Sequence, residues 1–173
     1  VDNYDATMKE PTLFPVTFPS VLVNANKGIA VGMTNTICPF NLREVCRAEI
    51  ELIKDDEINI ADYLTAPDFP SGGELLYDRA DMEKIYETGL GSVKIRAVYE
   101  YDKSANCIDI KQIPPSTTVE AIIEKIVDLV KQKKITEIND IRDETDLSGL
   151  KITMDLKRGT DAEKLMNKLF KMT

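Results

Sequence analysis

The chain has 173 residues, 43% hydrophobic and 30% charged, and its 30 acidic against 22 basic side chains leave a formal net charge of −8. That is the composition of a soluble globular protein able to bury a full core, and it excludes a disordered tail or a membrane-embedded chain. No run approaches the length of a transmembrane helix, and the N-terminus lacks the basic-then-apolar layout of a signal peptide. Cys38, Cys46 and Cys107 are an odd set without Cys-x-x-Cys spacing, and there is no histidine. Reduced, intracellular thiols and no zinc site are expected. The chain starts at Val1 rather than Met, so it is expected to be an excised piece of a longer protein.

Residues 1–23 are punctuated by Pro11, Pro15 and Pro19, which predicts short extended pieces or a brief helix. Asp2, Asp5 and Glu10 are spaced irregularly and read as solvated charges rather than metal ligands. The stretch around which the chain is organised comes next, Asn24-Ala25-Asn26-Lys27-Gly28-Ile29-Ala30-Val31-Gly32-Met33. Asn24 to Gly28 are residue types that turn a chain, since they tolerate positive φ or bond their own backbone. Ile29 follows that predicted turn. It is either folded back into a core or presented outward at a loop tip, and an outward apolar wedge beside Lys27 suits the prying apart of base steps in a DNA minor groove.

From Asn41 the pattern turns helical. Asn41 with Glu44 forms a capping box, and Leu42, Val45, Cys46, Ile50 and Ile53 follow at helical spacing until Lys54-Asp55-Asp56-Glu57. Ile58–Leu64 predicts a short helix, 66–73 a loop, Glu74–Tyr77 a brief strand, and Asp81 the cap of a helix ended by Gly89 and Gly91. Val93, Ile95, Ala97 and Tyr99 alternate with polar residues, as do Ile108 and Ile110, so 93–100 and 107–113 are expected to pair as an antiparallel hairpin. Thr117 with Glu120 caps a helix whose Ile122, Ile126 and Val130 form an apolar stripe. Ile135–Asp143 reads as extended, Asp143-Glu144-Thr145-Asp146 as a solvated loop without EF-hand spacing, and Leu150–Leu156 as a half-buried strand. Thr160 and Glu163 cap a last helix with Leu165, Met166, Leu169 and Phe170. Residues 58–173 therefore predict an α+β domain, a mostly antiparallel sheet with helices packed on it.

Several longer words carry a family likeness. Val1-Asp2-Asn3-Tyr4-Asp5, Phe18-Pro19-Ser20-Val21-Leu22-Val23-Asn24, Gly28-Ile29-Ala30-Val31-Gly32-Met33 and Pro39-Phe40-Asn41-Leu42-Arg43-Glu44-Val45 occur in order. Ala66-Pro67-Asp68-Phe69-Pro70-Ser71-Gly72-Gly73, Tyr86-Glu87-Thr88-Gly89-Leu90-Gly91-Ser92 and Asp155-Leu156-Lys157-Arg158 continue the series. The chain thus resembles, over essentially its whole length, the A subunit of bacterial type IIA topoisomerases, DNA gyrase or topoisomerase IV. The resemblance implies that residues 1–45 are the C-terminal part of the winged-helix DNA-gate domain, with its DNA-intercalating arm. Residues 46–173 would be the tower domain, with the boundary within 41–57.

The resemblance also implies the chemistry. Ile29 would intercalate into bound DNA, with Asn26, Lys27 and Gly28 holding displaced phosphates, and with Asn35 and Arg43 as weaker candidates facing DNA. The parent would be an ATP-dependent DNA topoisomerase that cleaves and rejoins one duplex to pass another. Its catalytic tyrosine follows an arginine, and none of Tyr4, Tyr63, Tyr77, Tyr86, Tyr99 or Tyr101 does, so no catalytic residue and no cofactor is expected in this chain. Mg2+ and ATP would enter through the B subunit. The implied partners are double-stranded DNA, the B subunit, plus a second copy of the A subunit in an A2B2 complex, with no membrane and a cytoplasmic, nucleoid-associated location. The chain departs from the family at Cys38-Pro39-Phe40-Asn41, where a Pro-Pro-His-Asn word is usual, at Ile113-Pro114-Pro115 in place of Ile-Pro-Tyr, and at Asn24-Ala25-Asn26-Lys27 in place of Asn-Gly-Ser-Ser. Charge is the main opposing fact. Residues 1–45 carry Asp2, Asp5, Glu10 and Glu44 against Lys9, Lys27 and Arg43, a net of −1, so the remaining −7 lies in 46–173. A phosphate-binding surface should be basic. The competing reading is an acidic protein-interaction module with an apolar docking loop at Ile29.

Overall fold

Pro19 separates an extended N-terminal segment from the first regular element, the one-turn helix α1 (Ser20–Val23). Strands β1 (Asn26–Ala30) and β2 (Met33–Ile37) then pair as an antiparallel ribbon. Helix α2 (Leu42–Lys54) follows, capped by the Asn41 side chain, which accepts from the Arg43 N–H at 3.0 Å. The cap is the expected residue. Val45 and Ala48 are the buried residues of α2, and a single 3-10 turn at Ile60–Asp62 takes the place of the short helix expected after it. The computed structural model describes residues 1–13 and 15–173.

These residues form two compact units, Val1–Asp68 and Phe69–Thr173. That division lies beyond the 41–57 window expected from the sequence. The reason is local: Asp68 returns to the start of α2, its N–H donating to the Pro39 carbonyl at 2.8 Å and its carboxylate accepting from the Asn41 amide at 3.1 Å. Those two bonds fasten 55–68 to the first unit.

The second unit opens with strand β3 (Glu74–Leu76) and helix α3 (Arg79–Thr88), which ends at Gly89 in the left-handed conformation. The apolar alternation that begins at residue 93 does not form one strand. It divides at Ala97 into β4 (Lys94–Arg96), paired antiparallel with β3, and β5 (Val98–Asp102), paired antiparallel with β6 (Cys107–Gln112). The expected hairpin is therefore present over its second half only, with its register shifting between Val98 and Tyr99. Helix α4 (Val119–Lys131) leads to β7 (Ile138–Asp143), β8 (Ile152–Leu156) and α5 (Ala162–Met172). Strands β5, β6, β8 and β7 lie in that order in one antiparallel sheet.

One face of this sheet carries the core. Ile108 sits opposite Met154 and Ile110 opposite Ile152, all four fully or nearly fully buried against Ile126 and Leu129 of α4 and Leu165, Met166 and Leu169 of α5. Strand β8 is interior, so Leu150–Leu156 is more deeply buried than its alternation suggests. Even Thr153, on the opposite face, is only 3% exposed. That opposite face is tiled with ion pairs instead. Lys151 lies 2.8 Å from Glu144 and 3.5 Å from Asp109, Arg142 reaches Asp140 and Asp155, and Thr153 Oγ1 is 2.8 Å from Asp109 Oδ1. Glu144, assigned from sequence to a solvated loop, is thus a partner in this network. Its hydrogen bonds from Lys151, Thr153 and Arg142 hold its pKa down at about 2.

Three helix caps fall near but not on the residues expected. Asp78 caps α3 by accepting from Asp81, Thr118 caps α4 by accepting from Ala121, and Asp161 caps α5 by accepting from Lys164. The expected caps were Asp81, Thr117 and Thr160. Two oxygen-bearing residues adjoin each helix start, and the one whose backbone stays extended while the next residue turns helical takes the role.

Ile126→Asp should destabilise the chain by about 4 kcal/mol in a denaturant titration, because it leaves an unpaired carboxylate in the layer between sheet and helices. Acid stability has a definite sign. Glu144 titrates lower in the folded chain than unfolded, so its contribution is present above the usual 4.5 and lost as pH falls toward about 2. Glu144→Gln should therefore flatten the fall in stability over that window, read from melting temperatures at stepped pH.

Candidate nucleic-acid interface

The ribbon of β1 and β2 is built from residues that favour extended backbone, Ile29, Thr34, Thr36 and Ile37 among them. Its register runs Asn26–Ile37, Lys27–Thr36, Gly28–Asn35, Ile29–Thr34 and Ala30–Met33. Two residues, Val31 and Gly32, close it. Gly32 has φ +79°, the second-corner value of a type II turn, which a side chain would strain, whereas Val31 keeps negative φ and stands fully exposed at the apex. The turn is therefore at Val31-Gly32 and not at Asn24–Gly28 as expected. Asn26, Lys27 and Gly28 are drawn into the ladder, and Asn24 ends α1, its N–H donating to the Ser20 carbonyl at 2.9 Å.

Every residue from Asn26 to Thr36 is exposed. Ile29 is 77% exposed and Met33 69%, so they gain almost nothing from burial within the chain. A two-stranded ribbon is marginal by itself in water, and Ile29 and Met33 stand exposed on its two opposite faces. The ribbon's base is held where the Phe40 N–H donates to the Leu22 carbonyl at 2.8 Å. Beside it, burial pushes the Cys38 thiol up from its ordinary value.

Register divides the candidate residues between two faces. Directly opposed residues of an antiparallel pair point the same way, and successive ones alternate. Ile29, Lys27, Thr34 and Thr36 share one face; Asn26, Gly28 and Asn35 lie on the other. Thr34 and Thr36 were not singled out from sequence, although their alternation with Asn35 was the available signal. The two-residue closure makes Ala30–Met33 a pair that exchanges both backbone bonds, and alternation makes Gly28–Asn35 another. The Gly28 N–H is thus occupied, and the N–H groups of Ile29 and Lys27 point outward. A Cβ at Gly28 would meet nothing within 4 Å, and its φ is not positive. The fold does not need glycine here. A missing side chain at an exposed strand position leaves room for close approach of a ligand.

Lys27 is in no ion pair among the described residues. Arg43 occupies the first turn of α2, exposed, six residues past Ile37. Among the described residues no group of three His, Cys, Asp or Glu side chains is placed to hold a metal ion. None of their helices is long and apolar enough to cross a membrane.

This arrangement is an exposed ribbon with an apolar side chain, a cation and two hydroxyls on one face, borne on a small helical base. Residues 1–173 match the family described as the A subunit of DNA gyrase/topoisomerase IV. The chain is 40% identical over 177 residues to the DNA gyrase A subunit of Borreliella burgdorferi, covering 99% of this chain and 22% of that protein. It is 42% identical over 179 residues to the one from Ureaplasma parvum, covering 100% and 21%, and 39% identical over 183 residues to the one from Synechocystis, covering 100% and 21%. The chain belongs to the family of DNA gyrase/topoisomerase IV A subunits. It spans about a fifth of the length of these relatives.

Ile29→Ala should leave the melting temperature of the chain nearly unchanged, within about 0.5 kcal/mol, whereas truncation of a core isoleucine costs about 2–5 kcal/mol. Gly28→Ala should be neutral or slightly stabilising in the same melt, since neither space nor φ opposes a methyl group there.

Proposed function

We propose that this chain is the DNA-bending portion of a type II topoisomerase A subunit, with Ile29 as the wedge that unstacks a base step. The observation that carries the reading is the 77% exposure of Ile29 on the ribbon of a chain that matches this family over all its residues. Bending a duplex over a short site costs on the order of 1–10 kcal/mol. An inserted apolar side chain concentrates the bend at one step for a few kcal/mol of unstacking, recovered through contacts that the bent duplex permits. On this reading Lys27 and the outward N–H groups of Lys27 and Ile29 receive the displaced phosphates. Thr34 and Thr36 line the same face, and Gly28 admits the backbone closely. Asn26 and Asn35 would meet DNA from the ribbon's other side.

The parent, in this proposal, cleaves and rejoins one duplex to pass a second, through a tyrosine outside this chain. It works with a B subunit that supplies the Mg2+ and ATP chemistry, in an A2B2 assembly in the bacterial cytoplasm. Residues 1–45 would end its winged-helix gate domain, and the sheet and helices of the second unit would be its tower, supporting the bent duplex. A second reading has one observation in its favour: Ile29, Val31 and Met33 are exposed together in a chain of net charge −8, as an apolar protein-docking loop would be. Duplex binding that does not weaken with salt, or docking of a protein on Ile29, would favour it.

In the full-length enzyme Ile29→Ala should reduce DNA bending and strand cleavage together, read by fluorescence transfer between duplex ends and by a cleavage gel. Bending unchanged beside wild type ends the wedge proposal. The 173-residue chain alone should form no covalent adduct with DNA, with or without a B subunit. Mg2+-dependent attachment to a duplex would overturn the absence of a nucleophile here.

A further inference from the structure

The first unit, Val1–Asp68, contains five cationic side chains: Lys9, Lys27, Arg43, Arg47 and Lys54. Two are neutralised within it, Lys9 by Asp2 and Lys54 by Glu51 at 2.8 Å. Lys27, Arg43 and Arg47 are in no ion pair among the described residues, and all three are exposed. They stay unpaired although the segment holds eleven acidic residues.

Their placement on α2 is not random either. Arg43 and Arg47 are four residues apart, one turn along a single side of the helix. At about 100° per residue that side is roughly opposite the buried Val45 and Ala48. The stripe therefore faces away from the body of the unit. The first two turns also carry Glu44 and Glu49 and are neutral in sum, but at about 100° per residue both glutamates project to other sides of the helix than the Arg43–Arg47 stripe. Helix stability does not account for Arg43, because a cation in the first turn opposes the helix dipole. Nor does burial account for Arg47, which is exposed. Six residues separate Ile37 at the ribbon's end from Arg43, a reach of at most about 21 Å. One duplex can engage both elements.

We propose that α2 is a second DNA contact of this unit, with Arg43 and Arg47 taking phosphates of the same duplex whose groove receives the β1–β2 ribbon. The occupant follows from charge: two guanidiniums at one-turn spacing on a convex helix face match a row of phosphates, which guanidinium groups bind bidentately. The contact is sequence-independent and sets where the duplex leaves the wedge. Lys27, Arg43 and Arg47 are the exposed, unpaired cations that this contact would use. This inference rests on the DNA-binding reading above and adds Arg47, which the sequence alone did not single out.

The test is the salt dependence of duplex binding by the full-length protein. Each lost phosphate contact lowers the slope of log K against log salt by about 0.9. Arg43→Ala and Arg47→Ala should each reduce the slope by about that amount, and the double variant by about 1.8. Arg47→Lys should restore most of the lost slope, since it keeps the charge. Alanine is the better helix former, so the helix survives the changes, and a circular dichroism melt checks it. Ile29→Ala serves as the contrasting variant: bending falls while the slope stays. Slopes unchanged in both arginine variants, with bending still dependent on Ile29, would overturn the α2 contact and leave the wedge standing. Absence of salt-sensitive duplex binding in the unaltered protein would overturn both.

Discussion

Closure of the ribbon by two residues is the constraint on which the candidate interface depends. With Ala30 held opposite Met33, each residue back along β1 has a determined partner and a determined face. A one-residue slip would exchange the faces, moving Ile29 and Lys27 to the side of Asn35. Gly32, with φ +79°, is the residue that permits so short a closure at this point. The exposed isoleucine therefore owes its direction to a glycine three residues further along.

The two units treat charge in opposite ways. On the open face of the four-stranded sheet, Lys151, Arg142, Asp109, Glu144 and Asp155 neutralise one another around the buried Thr153. Such a face offers an approaching polyanion little net field, and its ion pairs are screened by salt. In the first unit the cations of the ribbon and of the first turns of α2 stay unpaired. The first unit nevertheless carries five basic against eleven acidic side chains, −6 of the net −8, so a phosphate meets a favourable field there only locally, at the unpaired Lys27, Arg43 and Arg47.

The second unit is built on one continuous apolar core. Ile108, Ile110, Ile152 and Met154 form one apolar layer under α4 and α5, and the strands that carry them are interior to the sheet. Interiors packed at this density resist deformation. In the function proposed above, such stiffness is what a support for a bent duplex needs, since the bend stores on the order of 1–10 kcal/mol.

Most elements of this fold were legible in the sequence because each rests on a short-range rule. Asn41 before an amphipathic run, Ile122 and Ile126 four residues apart, and isoleucines alternating with Asp109 and Lys111 determine helix or strand without reference to distant residues. The long family words likewise pointed to Ile29 and its neighbours. Three things needed the tertiary structure. The run from residue 93 divides at Ala97 because β3 competes for its first half, a pairing that only chain-wide packing can settle. The caps at Asp78, Thr118 and Asp161 depend on which residue remains extended, and the residue types on either side do not distinguish this. The turn at Val31-Gly32 displaces the one expected at Asn24–Gly28, since Asn26, Lys27 and Gly28 gain more from a ladder with Asn35 and Thr36 than from local turn preference. Local residue chemistry decided what the exposed ribbon is made of; hydrogen bonds across the ladder decided which way Ile29 points.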